Sequence, residues 1–247
     1  MPHLSAPHWI LAAAGASSLG LAKAGLAGMG LVYVVIFAFL FGAKSSTGVA
    51  LPMLVVGDAF AVTAYHSHAN WKYVWRMLPP ACVGVVLGAA TMRSISNETF
   101  KPTIGWIILV LSALQVARMR WPDWLGAVPH ALWFVWAIGL LAGFTTMLAN
   151  AAGPIILIYC LAISLPKFEM VGTSAWFFAL INAFKVPFSV ALGLIGPTTL
   201  LLNVLLVPFV LAGVLGGRWL VYRIPQRAFE VISLAFAALA ALRLIGV

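Results

Sequence analysis

Gly143-Phe144-Thr145-Thr146-Met147-Leu148-Ala149-Asn150-Ala151-Ala152-Gly153-Pro154 stands between two apolar runs, WFVWAIGLLA before it and IILIYCLAI after it. Its residues are small, hydroxylic or amide, and it closes on Gly-Pro. Pro154 removes a backbone donor and pushes the residue before it out of the α region, and Gly153 adds backbone freedom. A helix is expected to break here. In lipid, irregular backbone is tolerated only where it is buried in protein or lines a polar cavity. The stretch is therefore the first candidate for a binding site.

The rest of the composition fixes the solvent. Of 247 residues, 64% are apolar and 8% charged, with acids only at Asp58, Glu98, Asp123, Glu169 and Glu230. Soluble domains carry about 25% charged residues, so this polar inventory cannot cover a soluble surface. The long, near-continuous apolar runs exclude an outer-membrane barrel, whose strands alternate. The expected fold is all-α: a single polytopic membrane domain over residues 1–247. Net charge is +9, which reads as Lys and Arg at helix ends facing anionic headgroups rather than as nucleic-acid binding. Cys82 and Cys160 lie inside apolar runs, so neither a disulfide nor a metal pair is expected. MPHLSAPHWILAAAG has no basic region ahead of its apolar run, so no cleaved signal peptide is expected.

A span needs about 20 apolar residues. About eight segments result: Trp9–Phe41, Val49–Tyr65, Val74–Met92, Ile104–Val116, Ala131–Ile163, Val171–Leu194, Leu200–Val221 and Ala228–Ile245. The first and fifth are too long for one span, and both are interrupted, the first by AKAGLAGMG. Trp71, Trp75, Trp121, Trp124 and Trp219 fall at segment ends, as an aromatic belt would place them.

The shared oddity suggests an internal repeat. Gly20 lies 123 residues before Gly143, and at that offset Lys23 meets Thr146, Gly28 meets Ala151 and Gly30 meets Gly153. At 124, Gly48 meets Gly172 and Asp58 meets Asn182. At 129, Pro79, Gly84, Gly88 and Phe100 meet Pro208, Gly213, Gly217 and Phe229. Two homologous four-segment halves follow, residues 9–117 and 131–246, with segments one and five broken. An even number of spans per half puts both halves the same way up, unless the broken segments dip in and return. Basic residues divide as Lys72, Arg76, Arg118, Arg120 and Arg243 against Lys44, Arg93, Lys101, Lys167, Arg223 and Arg227, which does not fix orientation.

Polar residues inside the membrane are expensive, and they mark the candidate site. Thr145, Thr146, Asn150 and Gly153 belong to the opening stretch. A half-helix N-terminus there would aim amide hydrogens at a small anion. The alternative is a Gly-Pro kink with Asn150 bonded to a neighbouring helix. Lys23, Gly28 and Gly30 are the counterparts in the first half, although a lysine can also snorkel to an interface. Asn182 and Lys185 share a helix face, with Thr173 and Ser174 on the same segment, and Pro187 should kink or end that helix. A buried Lys185 needs an acid, a bound anion or a freed carbonyl. Asp58 is a candidate for a coupling proton or cation, or an ion-pair partner of Lys23. His66 and His68, two apart, do not share a helix face and read as a solvated loop rather than a metal site. Nothing in the sequence argues for catalysis, a cofactor or ATP hydrolysis.

At these residues the chain resembles the sulfite exporter TauE/SafE family, also called the toluene sulfonate uptake permease family. The resemblance rests on Lys-x-Gly-Leu-x-Gly at Lys23 to Gly28, LPMLVVGDAFAV with Pro52 and Asp58, YHSHANWKYVWRMLPPACVGVVLG, GFTTMLANAAGPI and VGTSAWFFALINAFKVPF. The chain departs from the family at His66 and His68, where members often carry an arginine pair. The resemblance implies a bacterial inner-membrane transporter of seven or eight helices in two repeats. Its substrate would be a small anion such as sulfite or sulfoacetate, usually moved outward. The partners expected are that anion and membrane lipid, with no nucleic acid; a homodimer is left open. A passive anion channel and a non-transporting membrane accessory subunit stand as the alternatives.

Overall fold

The computed structural model describes residues 5–24, 29–121 and 132–221, with scattered positions from 231 to 245. Gly28 and most of the eighth segment lie outside the described residues. The described residues form nine α-helices and one 3-10 turn, with no strand. In order these are α1 (Ala6–Lys23), α2 (Met29–Phe41), α3 (Ala43–Tyr65), the 3-10 turn (His66–His68), α4 (Trp71–Ser94), α5 (Asn97–Arg120), α6 (Leu132–Ala149), α7 (Gly153–Ala162), α8 (Lys167–Ala191) and α9 (Pro197–Val221). Six of them, α3, α4, α5, α6, α8 and α9, are long and apolar enough to cross a membrane.

Segments one and five each become two helices. At about 1.5 Å per residue, the 13-residue α2 and the ten-residue α7 reach only about 20 and 15 Å, short of a hydrocarbon core of about 30 Å. Both fold back on the helix before them. Ser18 Oγ donates to the Met29 carbonyl at 3.2 Å, and a Cβ on Gly15 would meet the Phe37 ring, so α2 runs antiparallel to α1. Likewise only three residues separate α7 from the end of α6, yet its Tyr159 stacks on Phe134 in the first turn of α6.

These returns correct the expectation that both halves lie the same way up. The segments at corresponding positions, α3 and α8, run antiparallel: Gly48 abuts Leu194, Asp58 bonds Asn182, and Gly172 abuts Tyr65 and Ala69. The cause is the extra reversal that each broken segment adds. Regrouping the loops accordingly places Lys167 at the end that carries Lys72, Arg76, Arg118 and Arg120, opposite Lys44, Arg93 and Lys101.

The helices pair across the chain rather than along it. α4 packs most extensively on α6, and α1 on α9. Both contacts are built on glycine, which lets backbones touch. A Cβ on Gly143 would lie 1.9 Å from the Ala81 carbonyl oxygen, and one on Gly84 2.2 Å from that of Leu140. At the other contact a Cβ on Gly20 would lie 2.1 Å from the Val210 oxygen, and one on Gly213 2.2 Å from that of Ser17.

Candidate functional site

The break after α6 is made by Asn150. It has φ 53°, in the left-handed region, which asparagine tolerates better than most non-glycine residues. Three bonds fix it there. The Tyr33 hydroxyl donates to its carbonyl at 2.9 Å, its own Nδ2 donates to the Thr47 carbonyl at 3.1 Å, and its Oδ1 accepts from Lys185 Nζ at 2.5 Å. Gly153 and Pro154 do not make the break; they begin α7, where a proline's fixed φ suits the first turn. Pro187 does not end α8, which continues to Ala191.

Lys185 is 1% exposed. Its ammonium donates to Asn150 Oδ1, to Thr146 Oγ1 at 3.1 Å and to Asn182 Oδ1 at 3.3 Å. All three of its protons are thereby used. Asn182 turns its Nδ2 to Asp58 Oδ2 at 2.7 Å, and Asp58 Oδ1 forms an ion pair with Lys23. Asp58 is 1% exposed. A continuous polar chain thus joins the first break to the second, from Lys23 through Asp58, Asn182 and Lys185 to Thr146 and Asn150. It holds two lysines and one carboxylate.

This chain borders a cavity of about 230 Å³, room for several waters or a small anion. Lys23, Gly30, Asp58, Thr146, Asn150, Gly153 and Asn182 line it. Lys185 stands behind its three acceptors. Lys23 also lies 5.0 Å from the centre of the Phe178 ring, so its ammonium is held from two sides and open toward the cavity. Two predicted residues lie elsewhere. Thr145 bonds back to the Leu141 carbonyl at 2.8 Å inside its own helix, and Thr173 accepts the Asn70 amide at 2.9 Å, tying the start of α4 to α8.

Two helix N-termini open on the cavity, α2 at Gly30 and Leu31 and α7 at Gly153, Pro154 and Ile156. The N-cap of α7, Ala152, offers no side-chain acceptor. Among the described residues, the amides of Ala151, Ala152, Gly153 and Ile155 have no hydrogen-bond acceptor. Free amides and the positive ends of two helix dipoles favour an anion.

The family model for sulfite exporter TauE/SafE matches residues 11–244, nearly the whole chain. The chain belongs to this family. No curated protein and no solved structure matches it. The family is one of membrane transporters that export sulfur compounds, not of enzymes.

Several lining residues escaped the sequence reading. Tyr33 sits in the apolar run GLVYVVIFAFL, where a tyrosine gives no sign that its hydroxyl braces a bend 117 residues away. Phe178 is hidden for the same reason. Gln115, buried at 1% exposure, did carry a signal: it is a strongly polar residue inside the fourth apolar segment. Three residues before Arg118, it stands where the end of an apolar segment also accounts for a polar side chain.

Proposed function

We propose that the chain is a secondary transporter that carries a small anion, a sulfur oxyanion or an organosulfonate, outward across the bacterial inner membrane. The observation that carries this reading is the charge balance at the cavity. Beside the cavity one carboxylate, Asp58, stands against two lysines: Lys23, paired with it, and Lys185, held only by the neutral oxygens of Thr146, Asn150 and Asn182; two helix N-termini open on the same space. A buried site with surplus positive charge is completed by an anion. Lys23 and the free amides of the α7 N-terminus are its direct contacts. Lys185 holds Thr146, Asn150 and Asn182 in place behind it. Asp58, bonded to both Lys23 and Asn182, is the candidate coupling group.

We read the architecture as two homologous halves of inverted topology, with the axis in the membrane plane. The glycine contacts support this. Ser17 and Leu140 differ by 123 positions, as Gly20 and Gly143 do, and Ala81 and Val210 differ by 129, as Gly84 and Gly213 do. The contact of α1 with α9 thus repeats that of α6 with α4 residue for residue.

The outward direction is supported by loop charge. The cavity lies toward the end where α3 finishes and α8 begins, within about two turns of it at Ala61, Met170 and Ser174. Among the described residues that end carries Lys72, Arg76, Arg118, Arg120 and Lys167, against Lys44, Arg93 and Lys101 opposite, the bias expected of a cytoplasmic face. One charge crossing 100 mV is worth about 2.3 kcal/mol, enough to expel an anion from a negative interior without a second ion.

Counterflow in proteoliposomes tests the reading. Vesicles preloaded with sulfite or a sulfonate are expected to take up labelled substrate with saturation, faster when the trans side is loaded. Sulfate and carboxylates serve as comparisons. No uptake above empty vesicles at any gradient or potential would rule out transport. Flux without saturation or counterflow would make the protein a channel.

A further inference from the structure

We propose that the anion this site takes carries an apolar body: the polar chain and the α7 amides hold its charged head, and an adjoining apolar part of the cavity holds a short hydrocarbon tail. The inference rests on the reading of the cavity as an anion site and narrows it to one class of ligand.

The charged and amide side chains form one band across the cavity. Hydrogen bonds run from Lys23 through Asp58, Asn182 and Lys185 to Thr146 and Asn150, so these groups stand together. Between that band and the end where α8 begins, the lining changes character. Going back along α8 from Asn182, the cavity meets Phe178, Ala175 and Val171, spaced as one helix face requires. At about 1.5 Å per residue, this row reaches about 16 Å beyond Asn182. The antiparallel α3 adds Ala61, past Asp58, and α7, which runs toward the start of α8, adds Ile156 and Leu157. Ser174 is the polar side chain in this row, and its Oγ lies 3.8 Å from Cys160 Sγ. Gln115 on α5 also borders the cavity, with its amide oxygen sealed in the packing. A charged tail placed among these residues would lose its water without gaining a charged partner, which is expensive. A hydrocarbon tail gains in proportion to the apolar area it removes from water. A bare oxyanion would engage the band alone and leave the apolar part unfilled. Apolar walls with a few polar groups that fix orientation are the usual build of a site for an organic ligand.

Methane-, ethane-, propane- and butanesulfonate keep one head and lengthen the tail by one methylene at a time. Each would be titrated into the purified protein in nanodiscs, with calorimetric readout and empty nanodiscs as the blank. Affinity is expected to rise about fourfold per methylene, and so about 60-fold from methane- to butanesulfonate. 3-Sulfopropanoate, whose chain ends in a carboxylate, is expected to bind at least about tenfold more weakly than propanesulfonate. Ala175→Leu, which fills the middle of the apolar part, is expected to cut the butane-to-methanesulfonate ratio to below about fivefold. Val171→Thr, close in shape but hydroxylic, is expected to lower that ratio by a smaller factor.

Affinity that stays flat along the series, or sulfite and methanesulfonate binding best, would overturn the inference and leave the anion site standing. So would a gain with tail length that survives Ala175→Leu in full, since the tail would then lie elsewhere. Binding of neither sulfite nor any alkanesulfonate by the wild type would overturn both readings. The wild-type series decides even if a variant fails to fold.

Discussion

Lys23 keeps part of its ammonium free at the cavity, whereas the three protons of Lys185 all go to protein oxygens. The two lysines therefore have different work, and substitution can separate contact from field. Lys23→Met leaves Asp58 as an uncompensated buried carboxylate, a loss of roughly 3–5 kcal/mol. Adding Asp58→Asn removes that carboxylate, and the double variant is expected to regain most of the wild-type melting temperature. Its local charge also equals that of the wild type, since one lysine and one acid have left together. Anion affinity is nevertheless expected to stay at least tenfold down, because no ammonium faces the ligand. A double variant that bound anions like the wild type would show that the field of Lys185 suffices and that Lys23 is no ligand. Lys185→Met is expected to lower melting temperature and affinity together. Three buried oxygens would lose their donor, at roughly 1–3 kcal/mol each before relaxation, and the bend at Asn150 would lose its anchor.

The helix breaks show what was legible in the sequence at the level of elements. Segment five was visibly too long and visibly interrupted, so a break was expected within it. The residue that makes the break was not Gly153 or Pro154 but Asn150, because three side-chain and backbone partners hold it at positive φ. Two of those partners, Tyr33 and Thr47, lie more than 100 positions away, beyond any local signal. The polar residues Lys23, Asp58, Asn182 and Lys185 stood out because such residues are rare in lipid. Their mutual bonding could not be read without the packing of α3 on α8.

Glycines carry a prediction at the same scale, because identical substitutions should have opposite outcomes. At Gly20, Gly84, Gly143 and Gly213 a Cβ would run into backbone of the facing helix. Alanine there forces two helices apart, at roughly 1–3 kcal/mol or more, and the α1–α9 and α4–α6 contacts, built alike on glycine, should suffer similar losses. At Gly30 and Gly153 a Cβ meets nothing within 4 Å, and both line the cavity. Alanine at those two is expected to leave melting temperature within a degree or two and to slow flux by narrowing the cavity. The measurements are thermal unfolding in detergent and counterflow rate. Equal destabilisation by all six substitutions would remove the distinction between packing and cavity glycines.

At the scale of the whole molecule, the halves of the sequence are not the bodies that pack together. α9 lies on α1 and α3, and α4 lies on α6 and α8, so each half lends its third segment to the other. Segment lengths alone could not reveal this, since the exchange depends on which glycine faces meet. Two bundles result, α1–α2–α3–α9 and α6–α7–α8–α4, meeting along α3 and α8 beside the cavity. Alternating access by rocking should then move these exchanged bundles, not residues 9–117 against 131–246. Spin labels at exposed positions can tell the two apart. Trp75 on α4 and Trp133 on α6 are 60% and 63% exposed, and Leu215 on α9 is 68% exposed. The Trp75–Trp133 pair crosses the sequence halves but stays within one bundle, so its distance distribution should hold when a transported anion is added or a gradient applied. The Trp75–Leu215 pair spans the two bundles and should shift by several ångström or split into two populations. If Trp75–Trp133 moves as much as Trp75–Leu215, the exchanged bundles are not the moving bodies. If neither pair moves during active counterflow, access is switched by local rearrangement at the two helix breaks, and rocking is the wrong mechanism.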